Sequence, residues 1–164
     1  MELALISDTH LPGRASDVPD WVRRRVEAAD HTVHAGDFDA PATVELVESL
    51  ADGSLTAVGG NVDGADVDLP DVATLTVEGV TFVVTHGTGS RAGYEKRVAG
   101  LVRNKAGPDA VGVAGHTHEP MDDVVEGVRL LNPGTATAAN PDDEATMMTL
   151  DVEDGEFTVH LHRE

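Results

Sequence analysis

Two segments far apart in the chain end in the same way, with two ligand-capable side chains spaced two residues apart. ALISDTH carries Asp8 and His10, and GVAGHTH carries His116 and His118. In an extended segment, residues i and i+2 point to the same side, so each pair can aim both side chains at one point. Imidazole and carboxylate groups are common ligands of divalent metals. The two segments therefore predict a metal site assembled from distant parts of the chain.

Further ligand-capable residues follow the other short apolar runs. TVHAG precedes Asp37, LTAVGG precedes Asn61, and FVVT precedes His86. In α/β sheets the ligand crevice lies outside the carboxyl ends of the strands, so residues in these positions can converge. The candidate ligands are then two carboxylates, four imidazoles and one amide: Asp8, Asp37, His10, His86, His116, His118 and Asn61. This set is too large for one transition metal and suits two, with one carboxylate bridging.

Each of these motifs taken alone has a simpler interpretation. An Asp-x-His after a strand can be a helix cap beside a surface histidine, and a Gly-Asp pair after a strand is a common turn. The acidic run Asp142, Asp143 and Glu144 is most simply a solvated surface. The metal interpretation is favoured by the set, because ligand-capable residues follow one strand after another.

The other four histidines are not expected to be ligands. His160 and His162 repeat the His-x-His spacing within FTVHLHR, where they alternate with three apolar residues. That alternation predicts a final strand with both histidines on its solvent face. We expect His31 and His34 to be strand-edge or core residues, although His34 could support a metal ligand because it lies close to Asp37.

The elements that must position the candidate ligands follow from the apolar pattern. Short apolar runs predict strands at residues 3–6, 31–35, 55–58 and 110–114. Helical periodicity predicts helices beginning at Pro19, at Asp39–Pro41 and near Ser90. Glycine-containing turns predict hairpins that reverse at Glu78-Gly79, Glu126-Gly127 and Asp154-Gly155. The expected class is α/β (α+β), with a mixed pair of sheets flanked by helices in one domain spanning residues 1–164.

The composition argues against several classes of protein. Asp and Glu number 30 against 11 Lys and Arg, so the formal charge is −19 and we expect no non-specific nucleic-acid binding and no membrane binding. MELALISDTH lacks the basic flank of a signal peptide, and no apolar run reaches the length of a membrane span. The absence of cysteine excludes thiolate metal sites and fits a cytoplasmic protein. The terminal hairpins could pair with a second copy in a homo-oligomer or could equally complete the core.

An ordered series of five motifs resembles the calcineurin-like metallophosphoesterases: DTH (8–10), GD (36–37), GN-V-D (60–63), TH (85–86) and GHTH (115–118). The length and the NPG at 132–134 resemble their small single-domain phosphodiesterase branch, which includes a retromer scaffold subunit. The resemblance implies a four-layer αββα sandwich with a dinuclear metal centre. On that pattern one metal is held by Asp8, His10, Asp37 and His118. The other is held by Asp37, Asn61, His86 and His116, with Asp37 bridging.

The resemblance also implies a chemistry, the hydrolysis of a small phosphate ester, and a diester rather than a monoester. Two divalent ions beside the Asp8 and Asp37 carboxylates leave a net charge of about +2, which attracts an anionic substrate. The metals activate a shared water or hydroxide for in-line attack on phosphorus, and catalysis is assigned to Asp37, Asn61 and His86 acting through it. We expect Mn²⁺, while Zn, Fe, Ni or Co also suit nitrogen and oxygen ligands.

Two positions depart from the family pattern. Val62 stands where many members carry a histidine that protonates the leaving group, and Thr88 stands where a second histidine often follows the first. Valine cannot transfer a proton, so we expect slow turnover of alkyl esters unless water or Asp63 substitutes. The alternative function is a non-catalytic binding or scaffold module that retains the fold and the metal site.

The same composition predicts adaptation to high salt, because acid is abundant, aromatic residues are few, and Lys96 and Lys105 are the only lysines. At about 1 M salt the electrostatic screening length is about 3 Å, so the self-repulsion of an acidic chain is tolerated. We expect the midpoint of thermal unfolding to rise along a KCl series from dilute buffer to multimolar concentration. Equal or greater stability in dilute buffer would contradict this expectation.

Overall fold

Ten strands and three helices make up the protein, for which a computed structural model describes residues 1–164. The first sheet contains β1 (Glu2–Ile6), β2 (His31–His34), β3 (Leu55–Ala57), β9 (Thr146–Glu153) and β10 (Glu156–Arg163) in the order β10-β9-β1-β2-β3. The second contains β4 (Val72–Val77), β5 (Val80–Thr85), β6 (Val111–Val113), β7 (Met121–Val125) and β8 (Val128–Asn132) in the order β4-β5-β6-β8-β7. The helices are α1 (Asp20–Ala28), α2 (Pro41–Leu50) and α3 (Tyr94–Ala106).

The two sheets and the helices form four layers. Leu5 and Phe82 belong to a buried cluster in which residues of the two sheets face each other. On the other face of the first sheet, Ile6 packs with α1 and α2, and on the other face of the second sheet Leu130 packs with α3. Each central strand is therefore covered on both faces, which explains why these strands read as continuous apolar runs. The predicted αββα fold class is confirmed.

The predicted hairpins also form, with small differences elsewhere. Glu78 and Gly79 both have positive φ values, +46° and +86°, as a two-residue hairpin turn requires. Helix α3 begins at Tyr94, later than the predicted start near Ser90, because Gly93 adopts a left-handed conformation directly before it. The alternation in FTVHLHR also predicts that Leu161 faces the core, but Leu161 is 40% exposed on the edge strand β10.

The parallel pairings within each sheet determine where the candidate ligands lie. Strand β1 pairs in parallel with β2, β2 with β3, and β5 with β6, so within each sheet these strands end at the same edge. Each of the strands is followed by a loop that carries one or two of the candidate ligands. None of the three helices is long and apolar enough to cross a membrane.

Candidate metal centre

Six of the seven predicted ligands come together in two groups at the ends of β1, β2, β5 and β6. In each group the ligand atoms lie within 4.8 Å of one another, and the groups are Asp8, His10 and His118, and Asp37, His86 and His116. Asn61 lies in the loop after β3, where its exposed side chain lines a cavity together with His86. The structure therefore places all seven residues along one edge, with Asn61 at its exposed side.

Asp37 belongs to the second group but also faces a histidine of the first group. Its Oδ2 atom is 3.0 Å from His86 Nε2 and 3.5 Å from His10 Nε2. The Asp8 Oδ1 atom is 3.3 Å from His118 Nε2 and 3.6 Å from His10 Nε2. One carboxylate oxygen of Asp37 thus faces histidines of both groups, which is the position that a bridging ligand requires.

Three buried atoms at the centre of this arrangement have no hydrogen-bond partner. They are Asp8 Oδ1, His10 Nε2 and His86 Nε2. Buried polar atoms are normally satisfied by protein or by ordered water. A divalent cation is the group that nitrogen and carboxylate lone pairs facing one another would share. The residues present therefore fit a pair of divalent ions held by nitrogen and oxygen ligands.

Two of the histidines are held by carboxylates on the side away from the centre. His10 Nδ1 lies 2.9 Å from Asp39 Oδ1, and His118 Nδ1 lies 2.7 Å from Asp143 Oδ2. A carboxylate accepts a hydrogen bond, so in each ring Nδ1–H donates and the Nε2 lone pair faces the centre. These contacts fix both the orientation and the tautomer of the two rings.

The other two histidines are held by backbone carbonyl groups. His86 Nδ1 donates to Ala35 O at 2.7 Å, which again leaves Nε2 free to bind. His116 is reversed, because its Nε2 donates to Gly89 O at 2.8 Å and Nδ1 is left to face the group. All four rings are thus oriented by a second contact, as is usual for metal-binding histidines.

Asp39 and Asp143 are site residues that the sequence did not reveal. Asp39 was expected only to start a helix, and Asp143 was expected on a solvated surface together with Asp142 and Glu144. The expectation for Asp143 was wrong, because it contacts His118 across 25 residues of sequence. Asp142 and Glu144 are exposed, as expected.

Burial and neighbouring charge act against each other on the titratable groups of the centre. Burial alone would raise the pKa of Asp8 and of Asp37, but the adjacent imidazoles hold both pKa values below the usual range. Burial would lower the pKa of His86 and of His118, but the adjacent carboxylates raise both pKa values. The two carboxylates therefore stay ionised and give the centre the negative charge that a cation needs.

His34 lies close to the centre but is not turned toward it. The backbone N–H of Gly36 donates to His34 Nδ1 at 3.1 Å, so Nε2 carries the proton and donates to Thr9 Oγ1 at 3.1 Å. The ring is stacked on Phe38, and burial lowers the pKa of His34 to about 3. His34 is therefore a neutral core residue that supports the loops carrying the candidate ligands.

Six residues in the loops of the centre have left-handed backbone conformations. Positive φ values occur at Asp8, His10, Asp37, Asp39, His116 and His118. Such conformations are uncommon for residues other than glycine and are maintained only where the surroundings impose them. The loops at this edge are therefore held in strained conformations that bring two side chains from one segment to the same point.

Asp63 is one of the residues that hold these loops in place. Its Oδ2 atom accepts hydrogen bonds from the backbone N–H groups of Asp37 at 3.0 Å and Gly60 at 2.8 Å. Its Oδ1 atom accepts from the N–H of Asp39 at 2.9 Å. A Cβ atom at Gly60 would lie 2.5 Å from Asp37 N, so only glycine permits this approach. Both oxygens of Asp63 are thus engaged by the backbone, which favours a structural role over proton donation.

The NPG motif holds the loop that carries His116 and His118. The buried Asn132 side chain donates to Gly115 O and to Thr117 Oγ1, both at 3.0 Å. Tyr94 OH also donates to Gly115 O, at 2.6 Å. These bonds join α3, the end of β8 and the histidine loop, so the NPG motif is part of the scaffold of the centre.

Comparisons with known proteins agree with the geometry. The sequence profile described as the calcineurin-like phosphoesterase superfamily domain matches residues 1–155. A probable metallophosphoesterase of Methanothermobacter thermautotrophicus is 32% identical over 151 residues, which cover 90% of this chain and 84% of that protein. A phosphodiesterase of Methanocaldococcus jannaschii is 27% identical over 149 residues, which cover 82% of this chain and 83% of that protein.

Solved structures share the fold over nearly the whole chain. A Thermotoga maritima protein solved by NMR is 34% identical, with a TM-score of 0.78 and 99% of each chain covered. Vps29 of Entamoeba histolytica, in a complex with zinc, is 20% identical with a TM-score of 0.77, and 100% of this chain and 98% of that chain are covered. The likeness to Vps29 concerns the fold alone.

The contact between His118 and Asp143 generates a test that compares two neighbouring carboxylates. We expect Asp143→Ala to lower the affinity for divalent metal by about 10–100-fold, because His118 loses the partner that orients it. Asp142→Ala removes an exposed carboxylate one residue away and is expected to leave the affinity unchanged. Metal titration followed by calorimetry measures both, and equal affinities of the two variants would contradict the role of Asp143.

Proposed function

Since the chain belongs to the calcineurin-like phosphoesterase superfamily, we propose that it hydrolyses phosphodiesters at this centre with two divalent metal ions. The observation that supports this most directly is the set of buried, unpartnered atoms on Asp8, His10 and His86. Divalent ions would bind the lone pairs of these nitrogen and oxygen atoms. Two ions would supply Lewis-acid activation of a water molecule for in-line attack on phosphorus and would stabilise the charge that develops there.

The proposed ligands divide as the two groups do. Asp8, His10 and His118 would hold one ion together with Asp37, and His86, His116 and Asn61 would hold the other together with Asp37. The Asn61 side chain is exposed in the cavity that His86 also lines, so its amide oxygen is accessible to an ion there. Mn²⁺ suits the carboxylate and amide oxygens, and Zn²⁺, Fe, Ni and Co suit the imidazoles.

The residues of the chain orient these ligands rather than react themselves. The N–H of Val62 donates to Asp37 Oδ1 at 3.0 Å, which turns Oδ2 toward the histidines of both groups. The Ser7 hydroxyl, at 2.6 Å, and the His116 N–H, at 3.1 Å, both donate to Asp8 Oδ2 and leave Oδ1 free. Each carboxylate thus uses one oxygen for the scaffold and offers the other to a metal.

Protonation of the leaving group is the step for which the chain provides no evident residue. Val62 is 37% exposed beside the centre and cannot donate a proton, and Asp63 is engaged by the backbone. A general acid contributes about 10²–10⁴-fold to rate. We therefore propose that substrates with stable leaving groups turn over faster than alkyl esters.

Val62→His tests this explanation by introducing a proton donor. We expect it to raise kcat for an alkyl phosphodiester by up to about 10²-fold, and to change kcat for bis-p-nitrophenyl phosphate far less, because p-nitrophenolate needs little protonation. Val62→Ala, which adds no donor, serves as the control. An equal change for both substrates would show that protonation does not limit the wild-type protein.

The proposed function itself is tested with bis-p-nitrophenyl phosphate in molar KCl. Protein stripped with a chelator is expected to be inactive, and Mn²⁺ is expected to restore turnover. Asp37→Ala should lose both metals and all turnover, whereas His116→Ala should mainly weaken one metal and exposed His160→Ala should change neither metal content nor rate. Metal content is measured by elemental analysis of folded protein.

Two outcomes of that experiment would contradict parts of the proposal. Two full metal equivalents in Asp37→Ala would exclude Asp37 as the bridging ligand. Stoichiometric metal binding without turnover for any of the five metals would support the alternative, a non-catalytic binding module, which Val62 favours.

A further inference from the structure

The cations of α3 form a groove that has no carboxylate in its lining. Lys96 and Lys105, the only lysines of the chain, line it together with Arg97, beside the start of β4 at Val72. None of the three cations forms an ion pair, although the formal charge of the chain is −19. An unpaired group of cations in an acidic protein is suited to an anionic ligand. We call this surface the α3 groove.

The α3 groove lies beside a cavity whose wall includes two of the candidate metal ligands. The cavity has a volume of about 380 Å³, and His86 and Asn61 lie in its wall. Arg97 and Leu101 line both the cavity and the α3 groove. A single elongated ligand could therefore contact the metal centre and the lysines of α3 at the same time.

The cavity between these two ends is polar but carries little charge. Its wall includes the hydroxyl-bearing residues Thr85 and Thr88, one carboxylate at Asp71, and the apolar residues Val98 and Leu101. Such a lining suits an uncharged organic unit with hydroxyl or N–H groups, for which Asp71 is an acceptor. The volume lies within the range of small-ligand sites, which is about 300–1,000 Å³.

Arg97 stands where the cavity meets the α3 groove. Its Nη2 atom donates to Gly87 O and to Ser90 O, both at 3.0 Å, which fixes the guanidinium group in place. A guanidinium group has five N–H donors, so donors remain for an anion. A held arginine with free donors is well suited to bind phosphate.

Resting on the proposed function, we infer that the substrate is a phosphodiester whose organic arm carries a second phosphate. The scissile phosphate lies at the metal centre, the organic arm fills the cavity, and the second phosphate contacts Arg97, Lys96 and Lys105. The chemical class is a unit in which a nucleoside-sized group separates two phosphates.

Two chromogenic substrates that differ by one phosphate test this inference. They are the p-nitrophenyl ester of thymidine 5′-phosphate and the same ester with a 3′-phosphate. Both have the same scissile bond and leaving group, so Val62 affects them alike. We expect kcat/KM to be about tenfold higher with the 3′-phosphate, as a charge-assisted contact would give. The assay is run at the lowest KCl concentration that keeps the protein folded.

Variants of the groove show whether its cations cause the preference. Lys96→Gln combined with Lys105→Gln is expected to reduce the ratio of the two kcat/KM values severalfold, with Arg97 retaining the remaining preference. Arg103→Gln is the matched control, because Arg103 lies on the same helix but donates to Glu126 O on another face. It is expected to keep the wild-type ratio. A ratio near 1 in the wild-type protein, or an unchanged ratio in the lysine double variant, would overturn the inference.

A binding measurement separates failure of this inference from failure of the proposed function. Thymidine 3′,5′-bisphosphate is titrated into chelator-treated protein, and backbone amide shifts of Gly100 and Asn104 are followed by NMR, with thymidine 5′-phosphate as the comparison. Shifts that the bisphosphate causes, and that are lost in the lysine double variant, would support binding of the second phosphate at the α3 groove even without turnover. Turnover of bis-p-nitrophenyl phosphate without such shifts would leave the proposed function standing and remove the second phosphate from the substrate.

Discussion

The candidate metal centre depends on two carboxylates that are buried among histidines. Asp8 is fully buried, Asp37 is 2% exposed, and the Asp8 Oδ1 atom has no hydrogen-bond partner. A buried charge is costly unless it is paired or binds a metal. The imidazoles around the two carboxylates pair with them, but three of those rings donate from Nδ1 to partners away from the centre. The Nε2 atoms of these three rings are thus left to face the carboxylates, which is the arrangement that the proposed divalent ions would use.

The two negatively charged carboxylates repel each other, so the loops that carry them must be rigid. Hydrogen bonds to the backbone provide most of that rigidity. Asp63 joins the loops after β2 and β3, and Asn132 with Tyr94 holds the loop after β6. The loops that they hold after β2 and β6 include residues with left-handed backbone conformations, which the surrounding hydrogen bonds impose. A loop anchored in this way presents its ligands at a fixed separation, so little reorganisation is needed when an ion binds.

The sequence predicted the fold and the position of the candidate ligands because both signals are local. An apolar run predicts a strand, and the ligand-capable residue that follows it in the chain lies at the end of that strand whatever the rest of the chain does. The supporting contacts are not local. His86 is held by Ala35 O across 51 residues and His118 by Asp143 across 25, and no spacing rule predicts such pairs. The start of α3 was misplaced for a different reason, since Gly93 adopts a left-handed conformation directly before the helix.

The charge distribution connects the predicted adaptation to high salt with the proposed anionic substrate, because salt weakens the repulsion between that substrate and the acidic chain. In dilute buffer an acidic chain repels phosphate esters over distances of about 30 Å, and the cations of α3 would have to act against that field. At about 1 M salt screening acts within about 3 Å, so the distant carboxylates no longer oppose an approaching anion. Direct contacts of Arg97 and the two lysines with a phosphate are of that same length and are weakened less. The proposed contacts would therefore let local cations select a substrate in a chain whose net charge would otherwise repel it.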